Sequence, residues 1–211
     1  YGILTGREFG AELMCPPPSQ LAYLSNSLHP DTRSHFTRGQ HAAFLLQYHG
    51  DVSRAAAAME RSMQWREKYR FVSAKDLRRF EDVVFVHGGR SAYTGGVHLC
   101  LRLSAVSAAE TREGLDAVAG ALMAHVEAQW AQLGISGSEP GKLRGRLVAI
   151  VDCAGVTPGS FPASLVAHTL VTLDSNYPEL AAEVHVVNVW WLVKRALTAL
   201  LEATSASTRQ R

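Results

Sequence analysis

Cysteine is scarce: the 211 residues contain three, at positions 15, 100 and 153. An odd number spread so widely builds no disulfide framework and points to a reducing compartment. Long apolar runs are missing as well, since none approaches the roughly 20 residues that a membrane-spanning helix requires. Mean hydropathy is −0.02. An excess of one charge is also lacking. With 21 basic and 19 acidic residues the net charge is +2, which argues against a nucleic-acid binder. No secretory signal is visible, and a start at Tyr1 is compatible with a trimmed N-terminus.

Catalytic and phosphate-binding motifs fail on inspection. Ser136–Lys142 (SGSEPGK) approximates a phosphate loop, but Ser136 stands where the first glycine is needed. Leu143 stands where the magnesium-binding Ser or Thr should follow. There is no serine-nucleophile turn flanked by glycines. The nine histidines include no i, i+4 pair with a glutamate and no neighbouring cysteine pair, so no metal site and no cofactor are expected. His98 and His185 fall on predicted strands and read as hydrogen-bonded or pocket-lining side chains. Asp152 ends a predicted strand, where α/β enzymes place catalytic groups, but without a partner base it reads as a cap of the following turn.

What is present is organised around residues 144–194. Arg144-Gly145-Arg146 leads into Leu147-Val148-Ala149-Ile150-Val151-Asp152, five apolar residues closed by a carboxylate. Such a run between turn residues predicts a strand buried on both faces, as in a parallel sheet. Gly155, Pro158, Gly159 and Pro162 then break the chain. From Ser164 the period is helical, with Leu165, Thr169 and Thr172 on one stripe and Val166, Leu170 and Leu173 on the next. Pro178 pushes Tyr177 out of the helical region and ends the helix. Val184–Val189 is rich in β-branched residues and predicts a second strand. Strand, helix and strand make a right-handed βαβ unit, and Trp190-Trp191-Leu192-Val193 opens another helix.

Upstream, Cys15-Pro16-Pro17-Pro18 is a stiff extended segment before a short helix within Leu21–Leu28. Phe36, Phe44, Leu45 and Tyr48 have helical spacing, and His49-Gly50 is a stop. Asp51 is placed to cap a second helix over Val52–Tyr69, with Ala55, Met59, Met63 and Arg66 on one stripe. The two helices form a hairpin. Arg61–Arg79 holds seven cations against two acidic residues. It reads as a solvated face, or as a membrane surface formed by Arg66, Lys68, Arg70, Lys75, Arg78 and Arg79. Near anionic headgroups each such cation adds about 1 kcal/mol. Val83–His87 and Val97–Leu103 predict a strand hairpin joined through Gly88-Gly89 and Gly95-Gly96. Ser107 and Glu110 have capping-box spacing, ahead of a long helix over Leu115–Leu133 and a loop over Gly134–Gly145.

In their order these pieces resemble the CRAL-TRIO lipid-binding family, which includes phosphatidylinositol transfer proteins and the tocopherol and retinaldehyde carriers. The resemblance rests on Leu147–Gly155 (LVAIVDCAG), the helix after it, Asn176-Tyr177-Pro178-Glu179 and His185–Val193 (HVVNVWWLV). Phe44–Val52, Ala56–Met63, Trp65–Tyr69 and Gly95-Gly96-Val97 extend it, so that it spans residues 36–204. It implies an α/β fold: an extension (1–35), a small N-terminal helical subdomain (36–70), then a lipid-binding domain (71–211). That domain would be a mostly parallel sheet flanked by helices, with an apolar lipid pocket. Alternation along the strands offers Leu147, Ala149 and Val151, then Val187 and Val189, as lining, with His98 beside them. By resemblance Glu179 helps position a headgroup.

Departures are specific. Phosphoinositide-holding members carry arginine and lysine where this chain has Tyr48 and His49. Polar residues that meet a phosphatidylcholine headgroup are replaced by Leu147 and Ala149. The resemblance also calls for a further strand, a gating helix and a glycine-rich closing segment beyond Arg211, so the sequence reads as a member shortened at its C-terminus. The function implied is non-covalent binding of one lipid, a phospholipid or other lipophile, and its transfer between membranes. No catalysis and no nucleic acid are involved in that reading; the partners are the lipid and a transient membrane surface. The expected location is cytoplasmic, with peripheral attachment to membranes. One competing reading is an interaction module that has lost lipid binding, favoured by the missing gate and basic pair. The other is an α/β enzyme built on Asp152 and a histidine.

Overall fold

The computed structural model describes residues 4–5, 15–92, 95–136, 142–195 and 198–199. A two-residue strand, β1 (Leu4–Thr5), precedes four helices. These are α1 (Pro18–Ser27), α2 (Pro30–His35), α3 (Arg38–Gln47) and α4 (Val52–Lys68). Each start has a local cause. Pro18 and Pro30 open α1 and α2, where a missing N–H costs nothing. Thr37 caps α3: its Oγ1 accepts from Gln40 N at 3.3 Å, while Gln40 Oε1 accepts from Thr37 N at 2.6 Å. Asp51 caps α4 as expected, accepting from Arg54 N at 3.0 Å. The inward stripe of α4 is Ala55, Ala58, Met59, Ser62 and Arg66. Leu21, Leu24 and Leu28 from before residue 36 share one core with Phe44, Leu45 and Met59.

The sheet has five strands in the order β1, β7, β6, β3, β2. Here β2 is Val84–Arg90, β3 is Gly95–Arg102, β6 is Arg146–Asp152 and β7 is Ala181–Val187. The inner strands β3, β6 and β7 run parallel, and the edges β2 and β1 run antiparallel to their neighbours. The crossover from β3 to β6 is α5 (Leu103–Glu113), α6 (Leu115–Trp130) and a small ribbon of β4 (Gly134–Ile135) and β5 (Leu143–Arg144). The crossover from β6 to β7 is α7 (Ala163–Asn176), so the predicted βαβ unit is present. A Cβ on Gly96 would lie 1.8 Å from Arg146 O. Only glycine lets β3 approach β6 there.

Two elements differ from expectation. Leu103 passes directly from β3 into α5, leaving Ser107 inside a helix rather than capping one. Leu103, Val106 and Ala109 are buried one turn apart, and that apolar stripe outweighs the capping-box pattern. The helix ends at Gly114, whose φ of 87° breaks it from α6. The expected loop over 134–145 is instead closed by β4 and β5. Positions 137–141, including most of the phosphate-loop lookalike, lie outside the described residues.

Candidate functional site

Register decides which side chains share a face. Leu99 and Leu101 pair with Ala149 and Val151, which pair in turn with Val184 and Val186. Leu99, Leu147 and Val186 belong to the same core as Leu103 and Val106 of α5 and Val118, Leu122 and Val126 of α6. This is therefore the helix-facing side. The opposite side carries Phe85, His98, Cys100, Val148, Ile150, His185 and Val187. Leu147, Ala149 and Val151 face the helices, as one lining set should, but Val187 and His98 lie on the other side of the sheet. The six apolar and imidazole positions expected to line one space are thus divided. His98 alternates with Leu99 along β3, and Val187 is turned away by a register shift between Leu147 and Val148, where β7 advances from Ala181 to Glu183 across one step of β6. One added residue reverses which side chains face inward. Asn188, with φ of 54°, turns the chain again, and Val189 packs against the core.

On the helix-facing side Leu147, Leu99 and Val186 are buried. Ala149, Val151, Val184 and Leu101 remain half-buried. Val166 and Leu173 of α7 are partly buried against the same core.

Glu179 occupies a turn with φ of 56° after Tyr177-Pro178. Its carboxylate lies 3.6 Å from Nη2 of Arg146, whose guanidinium also donates to Glu179 O at 2.7 Å and Ala181 O at 3.0 Å. Burial pushes the Arg146 pKa down, and Glu179 and then Glu183 offset this. No pattern in the sequence marks Arg146 beyond its place at the head of an apolar strand.

Arg66 does not belong to a membrane surface, because its side chain is 6% exposed. It donates to Glu127 at 3.1 Å, to Asn176 O at 3.0 Å and to the Ser62 carbonyl and hydroxyl. The rings of Tyr177, Phe36, Trp65 and Trp130 surround it at 4.7, 5.5, 5.7 and 5.9 Å. Tyr177 donates its hydroxyl to Glu127 at 2.7 Å. Burial, then the Glu127 charge, drive the Tyr177 pKa far above its ordinary value. Of the other expected surface cations, Arg79 is paired with Glu113, while Lys68, Arg70, Lys75 and Arg78 are exposed.

A cleft of about 480 Å³ lies between the chain after α4 and the first turns of α6 and α7. Lys68, Tyr69, Arg70, Asp116, Leu165 and His168 line it. Gly120 brings the walls together, since a Cβ there would lie 2.7 Å from Arg70 O. Tyr69 also belongs to an aromatic cluster with Trp65 and Phe71, at centroid distances of 4.4 and 4.9 Å.

Asp152 Oδ1 accepts from Ala154 N and from Asn188 Nδ2, both at 2.9 Å, and so fixes the ends of β6 and β7. His98 Nδ1 lies 3.3 Å from Gly89 O, and His185 Nε2 lies 2.8 Å from Glu183. Among the described residues no three His, Cys, Asp or Glu side chains are grouped to hold a metal ion. None of the described helices is long and apolar enough to cross a membrane.

Residues 121–211 match the CRAL/TRIO domain family. Among solved structures the chain is similar to Sfh5, with a TM-score of 0.60 and 12% identity over 88% of this chain and 71% of that one. At that identity the likeness is one of fold. No curated protein matches the sequence. The family match covers under half of the chain, and the fold it shares with Sfh5 is mixed α/β, with helices on a mostly parallel sheet. The CRAL-TRIO family binds lipophilic ligands.

Proposed function

We propose that the chain binds one lipid non-covalently between its sheet and helices α5 to α7, and carries it between membranes. The observation behind this reading is the continuous apolar surface of Leu99, Leu101, Leu147, Ala149, Val151, Val184 and Val186 facing the helices. On it Leu99, Leu147 and Val186 are buried, while Leu101, Ala149, Val151 and Val184 are half-buried. An acyl chain enters among the half-buried side chains, since burial of apolar chain is worth about 0.8 kcal/mol per CH₂. Glu179, held by Arg146, is too firmly tied to act as a free headgroup ligand. Its contribution is to shape the turn.

Membrane contact in this reading uses Lys68, Arg70, Lys75 and Arg78 together with a second patch. Trp190 and Trp191 are 47% and 58% exposed, and Lys194 and Arg195 are exposed on the next turn. At helical spacing these four fall within about 140° of one face, while Val193 seats the turn in the core. Indoles flanked by cations suit the headgroup layer.

Fluorescent-lipid transfer between vesicles tests the proposal. The chain should accelerate transfer above the spontaneous rate, and Ala149→Phe, which adds bulk to the helix-facing surface of the sheet, should abolish that without unfolding the protein. Equal rates with and without protein would contradict the carrier reading. The alternative, an interaction module without ligand, is favoured by the close packing around Leu147 and by Tyr48, whose ring Arg54 covers at 5.4 Å.

A further inference from the structure

The cleft between α6 and α7 carries charge that lipid burial does not require. Lys68 and Arg70 stand on the side formed by the end of α4 and the chain after it; Asp116 stands on the first turn of α6. Both signs line one space, yet none of the three makes an ion pair or hydrogen bond among the described residues. Tyr69 lies between Lys68 and Arg70 in the chain, its ring stacked on His168 with centroids 6.4 Å apart and planes at 15°. Burial, then the nearby Asp116 charge, raise the Tyr69 pKa, so the ring is a neutral phenol at physiological pH. Neither α6 nor α7 has a side-chain cap at its first turn.

A simple anion placed here meets Asp116, and a simple cation meets Lys68 and Arg70. A molecule bearing both charges satisfies both walls. We propose that the cleft binds a phosphate ester carrying a quaternary or protonated amine, of the phosphocholine or phosphoethanolamine type. The phosphate is held by Lys68 and Arg70, and the amine lies between the Tyr69 ring and Asp116. A volume of about 480 Å³ accommodates such a group. No sheet residue lines the cleft, so this site is separate from a lipid chain held against the sheet, and each can fail without the other. The group can be free or borne by a lipid in a bilayer.

The test is an NMR titration of the whole chain with phosphocholine, choline and inorganic phosphate, followed by flotation with phosphatidylcholine or phosphatidylglycerol vesicles. Phosphocholine should shift the Tyr69 and His168 signals saturably and bind at least about tenfold more tightly than choline or phosphate. Lys68→Gln with Arg70→Gln, and separately Asp116→Asn, should each weaken it about tenfold. These side chains are exposed, and circular dichroism verifies that the variants fold. Lipid uptake measured by native mass spectrometry should be unchanged in Asp116→Asn. Flotation with phosphatidylcholine that Asp116→Asn abolishes assigns the group to a lipid; phosphocholine binding without flotation assigns it to a soluble ester. Phosphate binding as tightly as phosphocholine, or Asp116→Asn binding more tightly, would reduce the cleft to a generic anion site and overturn the proposal. So would the absence of saturable binding.

Discussion

Arg66 ties three helices together, because its partners lie on α4, α6 and the end of α7. Removing one member of such a buried pair leaves the other uncompensated, which costs about 3–5 kcal/mol. Arg66→Met should therefore lower unfolding stability by about that much in urea denaturation, whereas Arg78→Met should change it by less than about 0.5 kcal/mol. Equal effects would contradict the placement of Arg66. Helical periodicity put Arg66 on the inward stripe of α4, but nothing local distinguishes a buried arginine from one that reaches out to solvent. Glu127 and Tyr177, which hold it, are distant in sequence, and so the pair was not legible. A second residue-scale effect concerns His41, which is 6% exposed, and His125. Burial lowers the pKa of both, with Arg33 adding to the effect at His41 and Glu81 opposing it at His125. Below the ordinary value of about 6.5, the unfolded chain takes up protons that the folded chain does not. Stability is therefore full above that pH and is lost as pH falls toward the lower folded values. The urea midpoint should drop between pH 7.5 and 5.5, and His41→Gln should flatten part of the drop; an unchanged slope would contradict the assignment.

At the scale of elements, local chemistry was readable wherever it decided the outcome. Asp51 caps α4, and Asp51→Ala should cost about 1 kcal/mol in thermal or urea unfolding; no loss would mean that the cap is idle. The β2–β3 hairpin and the β6–α7–β7 unit followed from apolar runs bounded by glycine and proline, signals that act within a few residues. Position within the sheet was less accessible. Alternation along β6 grouped Leu147, Ala149 and Val151 correctly, but the β7 register depends on a shift that no side-chain pattern announces. Val187 therefore stands on the far face, while His98 stands there by simple alternation with Leu99 along β3. Likewise α5 formed because Leu103, Val106 and Ala109 had a core to enter, a tertiary fact that overrode the Ser107–Glu110 pattern. Gly96→Ala tests the β3–β6 contact: with Arg146 O at 1.8 Å from the added carbon, the strands must separate. The expected cost is about 3 kcal/mol, the upper end of overpacking losses. A neutral substitution would contradict the close approach.

For the whole molecule, strand and helix order revealed the CRAL-TRIO architecture before any side-chain contact was known, because the family's landmarks are short segments in fixed succession. The helix-facing apolar surface was legible from the same pattern. The cleft was not, because Lys68, Arg70, Asp116 and His168 come from three separate stretches of chain that only folding assembles. The central claim is that one lipid occupies the layer between sheet and helices. Native mass spectrometry of the purified protein, after exposure to phospholipid vesicles and with organic extraction of the bound fraction, measures it directly. One lipid per chain is expected, lost in Ala149→Phe and kept in Asp116→Asn. A chain that stays empty after vesicle exposure, while folded by circular dichroism, would contradict it.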